Sequence, residues 1–422
     1  MPQGAAGQFR FMEKQIKGKR RSVGPARARR RKTVVAVVCL LSIIAFFAVF
    51  AIPMGLSNSI NTLMKTAFDL LINTVFYIMA LAVIAGALSE LMTVFGVVDL
   101  INRVLSPLMR PLFGMPGASA LGIVTTYLSD NPAVLTLAND SKFRRFFKAY
   151  QVPALTNLGT SFGMGLIVTS FMLAFSNTKM AGGGTLGSGV IWAALCGNLG
   201  TIVGAIVSTR LMLFFTKRFF GKDRPADVEP EIEKDRLTEA PKGFLHVLNA
   251  LMDGGKKGVE LGLAIIPGVL IICSVVMMLT KGMPEGGYTG GAYEGIGAIP
   301  WLAEKINFLL NPLFGFASTE ALGVPVTALG SAGAALPMIE AIVKDGAASG
   351  VASKAILNDI SVFTAICMCW SGFLSTHVSM MDALKCNRFT GKAILCHTIG
   401  GIVAGVSAHW LFVLVSLIIP MT

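Results

Sequence analysis

Charge is what this chain has least of. Only 14% of its 422 residues are Asp, Glu, Lys or Arg, against 54% that are hydrophobic, and a composition so poor in charge excludes an ordinary soluble domain. Histidine is scarce as well: His246, His377, His397 and His409 are dispersed along the chain. Neither a G-x-S-x-G nucleophile elbow nor an H-E-x-x-H zinc helix occurs. Enzymatic chemistry gains no support, and no catalytic residue or cofactor is assigned. A G-x-x-x-x-G-K-[ST] phosphate loop is also missing, so neither a GTPase half nor a nucleotide-driven pump is supported. Cysteine is present seven times, an odd number, and Cys39, Cys196, Cys273, Cys367, Cys369 and Cys396 fall within apolar runs, where small side chains suit helix packing. The alternative for Cys367 and Cys369, with His377 and His397 near in sequence, is a soft-metal site. Their spacing fits no ligand motif, and no metal is assigned.

What is abundant is apolar sequence in long runs. A hydrocarbon core takes about 20 apolar residues, and the clearest runs cover 34–54, 70–88, 158–175, 189–209, 261–280, 360–381 and 393–419. This is a polytopic membrane protein. Its net charge of +13 does not indicate nucleic acid, because residues 10–32 hold eleven Lys or Arg against Glu13 alone. A basic tail abutting a hydrophobic helix is an orientation signal that stays in the cytoplasm and touches anionic lipid. The apolar run behind it exceeds the usual ~7 to 15 residues of a signal core, so it is expected to remain as a helix.

Counting crossings from a cytoplasmic tail places every basic cluster on the cytoplasmic side of the cell membrane. Arg103, Arg110, Arg144, Arg145 and Lys148 follow the second span, and Lys385, Arg388 and Lys392 precede the last. Residues 217–242, with seven basic and seven acidic residues and three prolines, read as a cytoplasmic linker. The expected organisation is a basic tail over 1–33, an extra transmembrane helix over 34–56, a first repeat over 64–215, a linker over 216–245 and a second repeat over 246–419.

The repeat is carried by one block. PLFGMPGASALG at 111–122 returns as PLFGFASTEALG at 312–323, identical at seven of twelve positions. Three crossings separate the copies, so one faces in and the other out: two inverted-topology repeats, an arrangement used by secondary transporters. Between the breaks at 114–117 and 129–132 lie about a dozen residues, which as helix reach about 18 Å against a core of about 30 Å. The segment is too short to cross. Residues 115–150 are therefore expected to form a re-entrant helical hairpin with Asp130 and Asn131 at its tip. In the second copy helices over about 317–329 and 334–345 flank a turn at 330–333. Irregular backbone at membrane depth is tolerated only where protein or a water-filled cavity satisfies it, so both tips are expected to line a cavity.

Polar residues near these breaks are the candidate solute ligands. Ser318, Thr319 and Glu320 lead into the second hairpin, with Ser119 aligned to Glu320. A carboxylate inside a membrane segment is functional by default, although Glu320 also reads as an ion-pair partner and Asp130 as a turn residue. Thr156, Asn157, Thr160 and Ser161, and in the second half Asn358, Asp359, Ser361 and Thr364, open the spans behind the hairpins. These residues face the tips or bond neighbouring helices. Asn198 reads the same way, and Gly197, Gly200 and Gly204 read as close-packing positions.

With both PLFG hairpins in hand, residues 64–415 resemble the nucleoside-recognition, or gate-domain, membrane proteins. That group takes in the spore maturation membrane proteins and the membrane part of the bacterial ferrous-iron transporter. STEALG is also similar to the Gln-Thr-Glu-Ala hairpin of concentrative nucleoside transporters, with Ser318 in place of the Gln, which implies a solute site at Thr319 and Glu320. The expectation is an all-α secondary-active or facilitative transporter of a small polar, nucleoside-like solute bound between the two hairpins. Its coupling ion is H+ or Na+, and a homo-oligomer is a possible assembly. The alternatives are an ion or metal permease and a non-transporting membrane assembly protein of the spore-maturation type.

Overall fold

The 34–54 run forms a helix that extends back into the basic tail. In the computed structural model, which describes residues 25–131, 133–134, 138, 141–226 and 243–419, α1 (Pro25–Met54) exposes Leu40, Leu41 and Ile44. The tail before residue 25 and the linker over 227–242 lie outside the described residues. Residues up to Ser59 form one unit, and those from Ile60 onward a second. Among the described residues, six helices are long and apolar enough to cross a membrane, or seven if one bent pair is a span. The chain is an all-α polytopic membrane protein.

From Leu56 onward the described elements run in two series. Helix α2 (Leu56–Val94) carries a π turn at Leu70–Val75. It leads through left-handed Gly96 into α3 (Val97–Leu108), which exposes Leu100, Val104 and Leu108. The following turn, Met109–Phe113, closes on Gly114 at φ 70°, whose amide returns to Arg110 O at 3.1 Å. A residue without Cβ takes the left-handed position and ends the helix, which is what the first PLFG block does. Next come α4 (Ser119–Leu128) and a tip at 129–131. The second arm of this hairpin lies largely outside the described residues. The half ends with α5 (Ala154–Thr160), α6 (Gly165–Leu173) and α7 (Gly189–Phe220).

The second half opens with α8 (Phe244–Thr280), again with a π turn, at Gly268–Cys273. Then follow α9 (Ala298–Lys305) and α10 (Asn307–Phe314), which closes on Gly315 at φ 60° with its amide 2.8 Å from Asn311 O. Across this second PLFG block the chain bends 81° into a 3-10 turn, Thr319–Leu322, and α11 (Gly323–Gly330). Helix α12 (Ala332–Ala348) is the other arm. Its N-cap is Ser331, whose Oγ accepts from Ala334 N at 3.3 Å. The turn is therefore tighter than the sequence suggests, because this cap brings Ala332 and Gly333 into the helix. Helices α13 (Ser353–Cys369), α14 (Phe373–Ala383) and α15 (Thr390–Ile418) complete the chain.

Two spans that read as continuous are broken. Residues 158–175 are interrupted at 161–164, where Met164 is left-handed at φ 56°, and 360–381 at 370–372, where Gly372 has φ 60°. A hydropathy window passes over both breaks, because each is only three or four residues within a long apolar run, although each contains a Ser and a Gly (Ser161 and Gly163, Ser371 and Gly372).

Glycine sets the main seams. A methyl at Gly86 would overlap Gly254 O, one at Gly258 would overlap Ala82 O, and one at Gly262 would meet Met79, so α2 and α8 run antiparallel with their backbones touching. Gly200 meets Ala408 and Gly204 meets Gly400 in the same way, which runs α7 and α15 antiparallel. Without a hydrophobic force between helices in lipid, such close approach supplies the packing contacts.

The loop between α8 and α9 is ordered by one carboxylate. Glu294 accepts hydrogen bonds from the Thr289 hydroxyl at 2.5 Å and from the amides of Thr289, Gly290 and Gly291. Tyr293 ties the loop to α2 through Asp69 at 2.6 Å. Burial pushes the Glu294 carboxyl up, but the Thr289 hydroxyl and the three amides outweigh it and hold the group below its usual range. A depressed carboxyl stabilises above its unfolded value, near 4.3, and the contribution is lost as pH falls through the lower folded value. Protection from hydrogen exchange over 285–297, taken relative to intrinsic rates, is therefore expected to be constant from about pH 5 to 8 and to fall below about pH 4. In Glu294→Gln it should be low throughout. Equal protection in the variant would refute this role.

Candidate functional site

The first hairpin tip is built against both broken spans. Asn131, 2% exposed, donates from Nδ2 to Ser371 O at 2.6 Å, so a tip in the first half binds a break in the second. Its Oδ1 has no hydrogen-bond partner among the described residues and lies against Gly163, where any Cβ would overlap it. Asp130 accepts from Asn131 N at 2.7 Å, a local turn contact. The second tip meets the same region: Gly372 donates to Ala328 O at 3.2 Å, and a methyl there would sit 3.2 Å from Gly330 O. Both tips and both breaks thus converge.

Cavities lie beside the hairpins, and two of them touch the candidate polar residues. One of about 370 Å³ is lined at its tip end by Ser129 and Asp130, along α4 by Thr125, and on α2 and α8 by Ser89, Glu90 and Lys257. Lys257 pairs with Glu90 at 2.5 Å. The other, about 240 Å³, is lined by Ser318, Glu320, Asp345, Ser349 and Asp359. Lys281 reaches both Glu320 and Asp345 at 3.0 Å. Among the described residues, neither of these two cavities is lined by both hairpins. The tips pack against the breaks and leave space along the outer arms.

The other sequence candidates separate by role. Asn358, 5% exposed, donates to Phe314 O at 2.9 Å and Gly315 O at 2.8 Å, and its Oδ1 accepts from His409 Nδ1 at 2.7 Å. It holds the end of the second PLFG helix. Gln151 does the equivalent in the first half, donating to Gly114 O at 3.1 Å. Asn157 bonds Ser208 Oγ and Ala393 O, Ser361 bonds Ala408 O, and Ser119 bonds Pro116 O within its own turn. Thr160 is fully buried and its hydroxyl finds no partner among the described residues. Thr319 begins the 3-10 turn, half-buried.

The sequence reading missed Gly163, Ser371 and Gly372, because a break shows itself only in backbone conformation. Asp359 is 1% exposed, accepts from Ala317 N at 3.0 Å and floors the smaller cavity, and its signal was an Asp in an apolar run. Among the described residues, no group of three His, Cys, Asp or Glu side chains is placed to hold a metal ion.

No family model matches the chain, and no curated protein does. Among solved structures, CNTnw in an inward-facing substrate-bound state is similar over 92% of this chain and 86% of its own, at 14% identity and a TM-score of 0.48. CNTnw in an outward-facing state, in a substituted form, is similar over 93% and 88%, at 14% identity and a TM-score of 0.47.

Proposed function

We propose that this chain is a membrane transporter that moves a small polar solute past two helical hairpins of opposite orientation. The observation that carries the reading is the convergence of both tips and both broken spans, Asn131 on Gly163 and Ser371, and Gly372 on Ala328 and Gly330. Interrupted backbone inside a membrane protein lines cavities and supplies free N–H and C=O groups to solutes and ions. The antiparallel pairing of α2 with α8 and of α7 with α15 supports inversion of the halves, since inverted repeats require helices with the same place in each half to run opposite ways.

The solute class we favour is nucleoside-like. A volume of about 370 Å³ falls within the usual ~300 to 1,000 Å³ of small-molecule sites. Polar tip groups beside Leu121, Leu128 and Ile167 suit a flat ring carrying several hydrogen-bonding groups. In this reading Asp130 contacts the solute. Glu320, paired with Lys281, clamps the second hairpin.

Proteoliposomes containing the full chain are expected to take up labelled uridine faster than empty ones. Asp130→Ala is expected to lower that uptake by about 10-fold to 100-fold, the effect of a lost hydrogen bond to a charged group, with an unchanged melting temperature. Uptake no faster than in empty liposomes for every nucleoside tried would remove the solute class, and uptake indifferent to Asp130→Ala would remove the site.

A further inference from the structure

Two of the four histidines meet in the interior, and the solute site uses neither. His377 lies on α14 just beyond the 370–372 break and His397 on α15; both are fully buried, with ring centres 4.7 Å apart. Their neighbours fix which nitrogens carry protons. His377 Nδ1 is 2.9 Å from Phe373 O, and a carbonyl only accepts, so Nδ1 bears the hydrogen. The remaining nitrogen, Nε2, is then a bare acceptor, and it has no hydrogen-bond partner among the described residues. His397 is saturated. Its Nε2 donates to Cys369 O, and its Nδ1 accepts from Ser208 Oγ at 3.1 Å, which in turn accepts from Asn157 Nδ2 at 3.0 Å. Of the pair, only His377 can take a proton without breaking a hydrogen bond.

We propose that His377 Nε2 is a proton-binding site, and that a proton there opens the 370–372 break, making H+ the coupling ion. The coupling role rests on the transporter reading; the opening does not. Among the described residues, an imidazolium in this place has no carboxylate to neutralise it. Helices α5 and α11 and residues 387–389 pack against α14, and neither helix carries a titratable group. Arg388 lies 3.6 Å over the Phe219 ring. Helix α15 contributes His397, Cys396 and Lys392 but no Asp or Glu, and Lys392 sits over the Phe215 ring at 5.4 Å. Asp382, on α14 itself, is exposed and held by Asn387 at 2.6 Å. An unpaired buried charge is costly, so the proton favours an arrangement in which the break is wet. The break is also where Asn131 of the first tip is tied, through Ser371 O. Protonation at His377 thereby reaches the opposite hairpin through one hydrogen bond.

The test is hydrogen exchange on the full chain in phosphatidylcholine nanodiscs at pH 8 and pH 5.5, with labelling times scaled to intrinsic exchange. Protection over 367–380 is expected to fall about tenfold at pH 5.5, the response of one group whose proton affinity differs by one unit between two states. Protection in α7 should hold. In His377→Gln and His377→Met, high protection is expected at both pH values. Equal protection in the wild-type protein at both pH values overturns the proposal, as does a tenfold loss in whichever variant folds. A pH response without uptake of any solute removes the transporter reading alone, and uptake without a pH response removes the proton site alone.

Discussion

Asn358→Ala is expected to lower stability by on the order of 3 to 5 kcal/mol, since it orphans three groups that each cost roughly 1 to 3 kcal/mol when buried unpaired. The groups are Phe314 O, Gly315 O and His409 Nδ1–H. None has room to turn elsewhere, because a methyl at Gly315 would already overlap the His409 ring. Ser361→Ala, three residues further along α13, removes one 3.2 Å bond to Ala408 O and is expected to cost about 1 kcal/mol. The check is thermal unfolding of both variants in one detergent. Melting temperatures lowered equally would show that Asn358 is not the anchor of the second PLFG helix. The expected loss is also local: exchange over 312–320 should rise before that of α7, since the released helix end carries the bend into the hairpin.

How much of this was legible before the structure depends on what kind of signal each feature leaves. Apolar runs announce spans, and the 34–54, 189–209 and 393–419 runs became α1, α7 and α15, each extended at one end by turns that carry Lys or Arg. The PLFG blocks were legible as helix stops because glycine after a periodic apolar segment has one common use, the left-handed cap. Asn358 drew notice as a polar residue in an apolar run, but its three partners lie 43 to 51 positions away, and nothing local points to them. Glu320 illustrates the opposite case. Its type suggested a solute ligand, yet Lys281, 39 residues earlier, supplies an ion pair that only the fold could bring to it. The breaks at 161–164 and 370–372 left only a faint compositional mark, a Ser and a Gly in each, beside Phe162, Met164 and Trp370, which read as ordinary span residues.

Gly254→Ala and Gly255→Ala, adjacent on α8, are expected to change stability in opposite directions. A methyl at Gly254 would overlap Gly86 O and lie 2.7 Å from Ala87 Cα. Both are backbone, so no side chain can swing aside and the α2–α8 seam must open along its length. Overpacking costs about 1 to 3 kcal/mol even where rotamers can adjust, and here the upper end is expected. At Gly255 the nearest atom to the same methyl is Val83 Cγ1 at 3.6 Å, an ordinary contact. There the residue gains the helix preference of alanine over glycine, about 0.5 to 1 kcal/mol. Melting temperatures measured side by side should fall for the first and hold or rise for the second. The pair also tests whether this seam stays closed during transport. A seam that parts in the cycle would let a folded Gly254→Ala protein keep uptake at a reduced melting temperature, whereas a static seam would tie the two losses together.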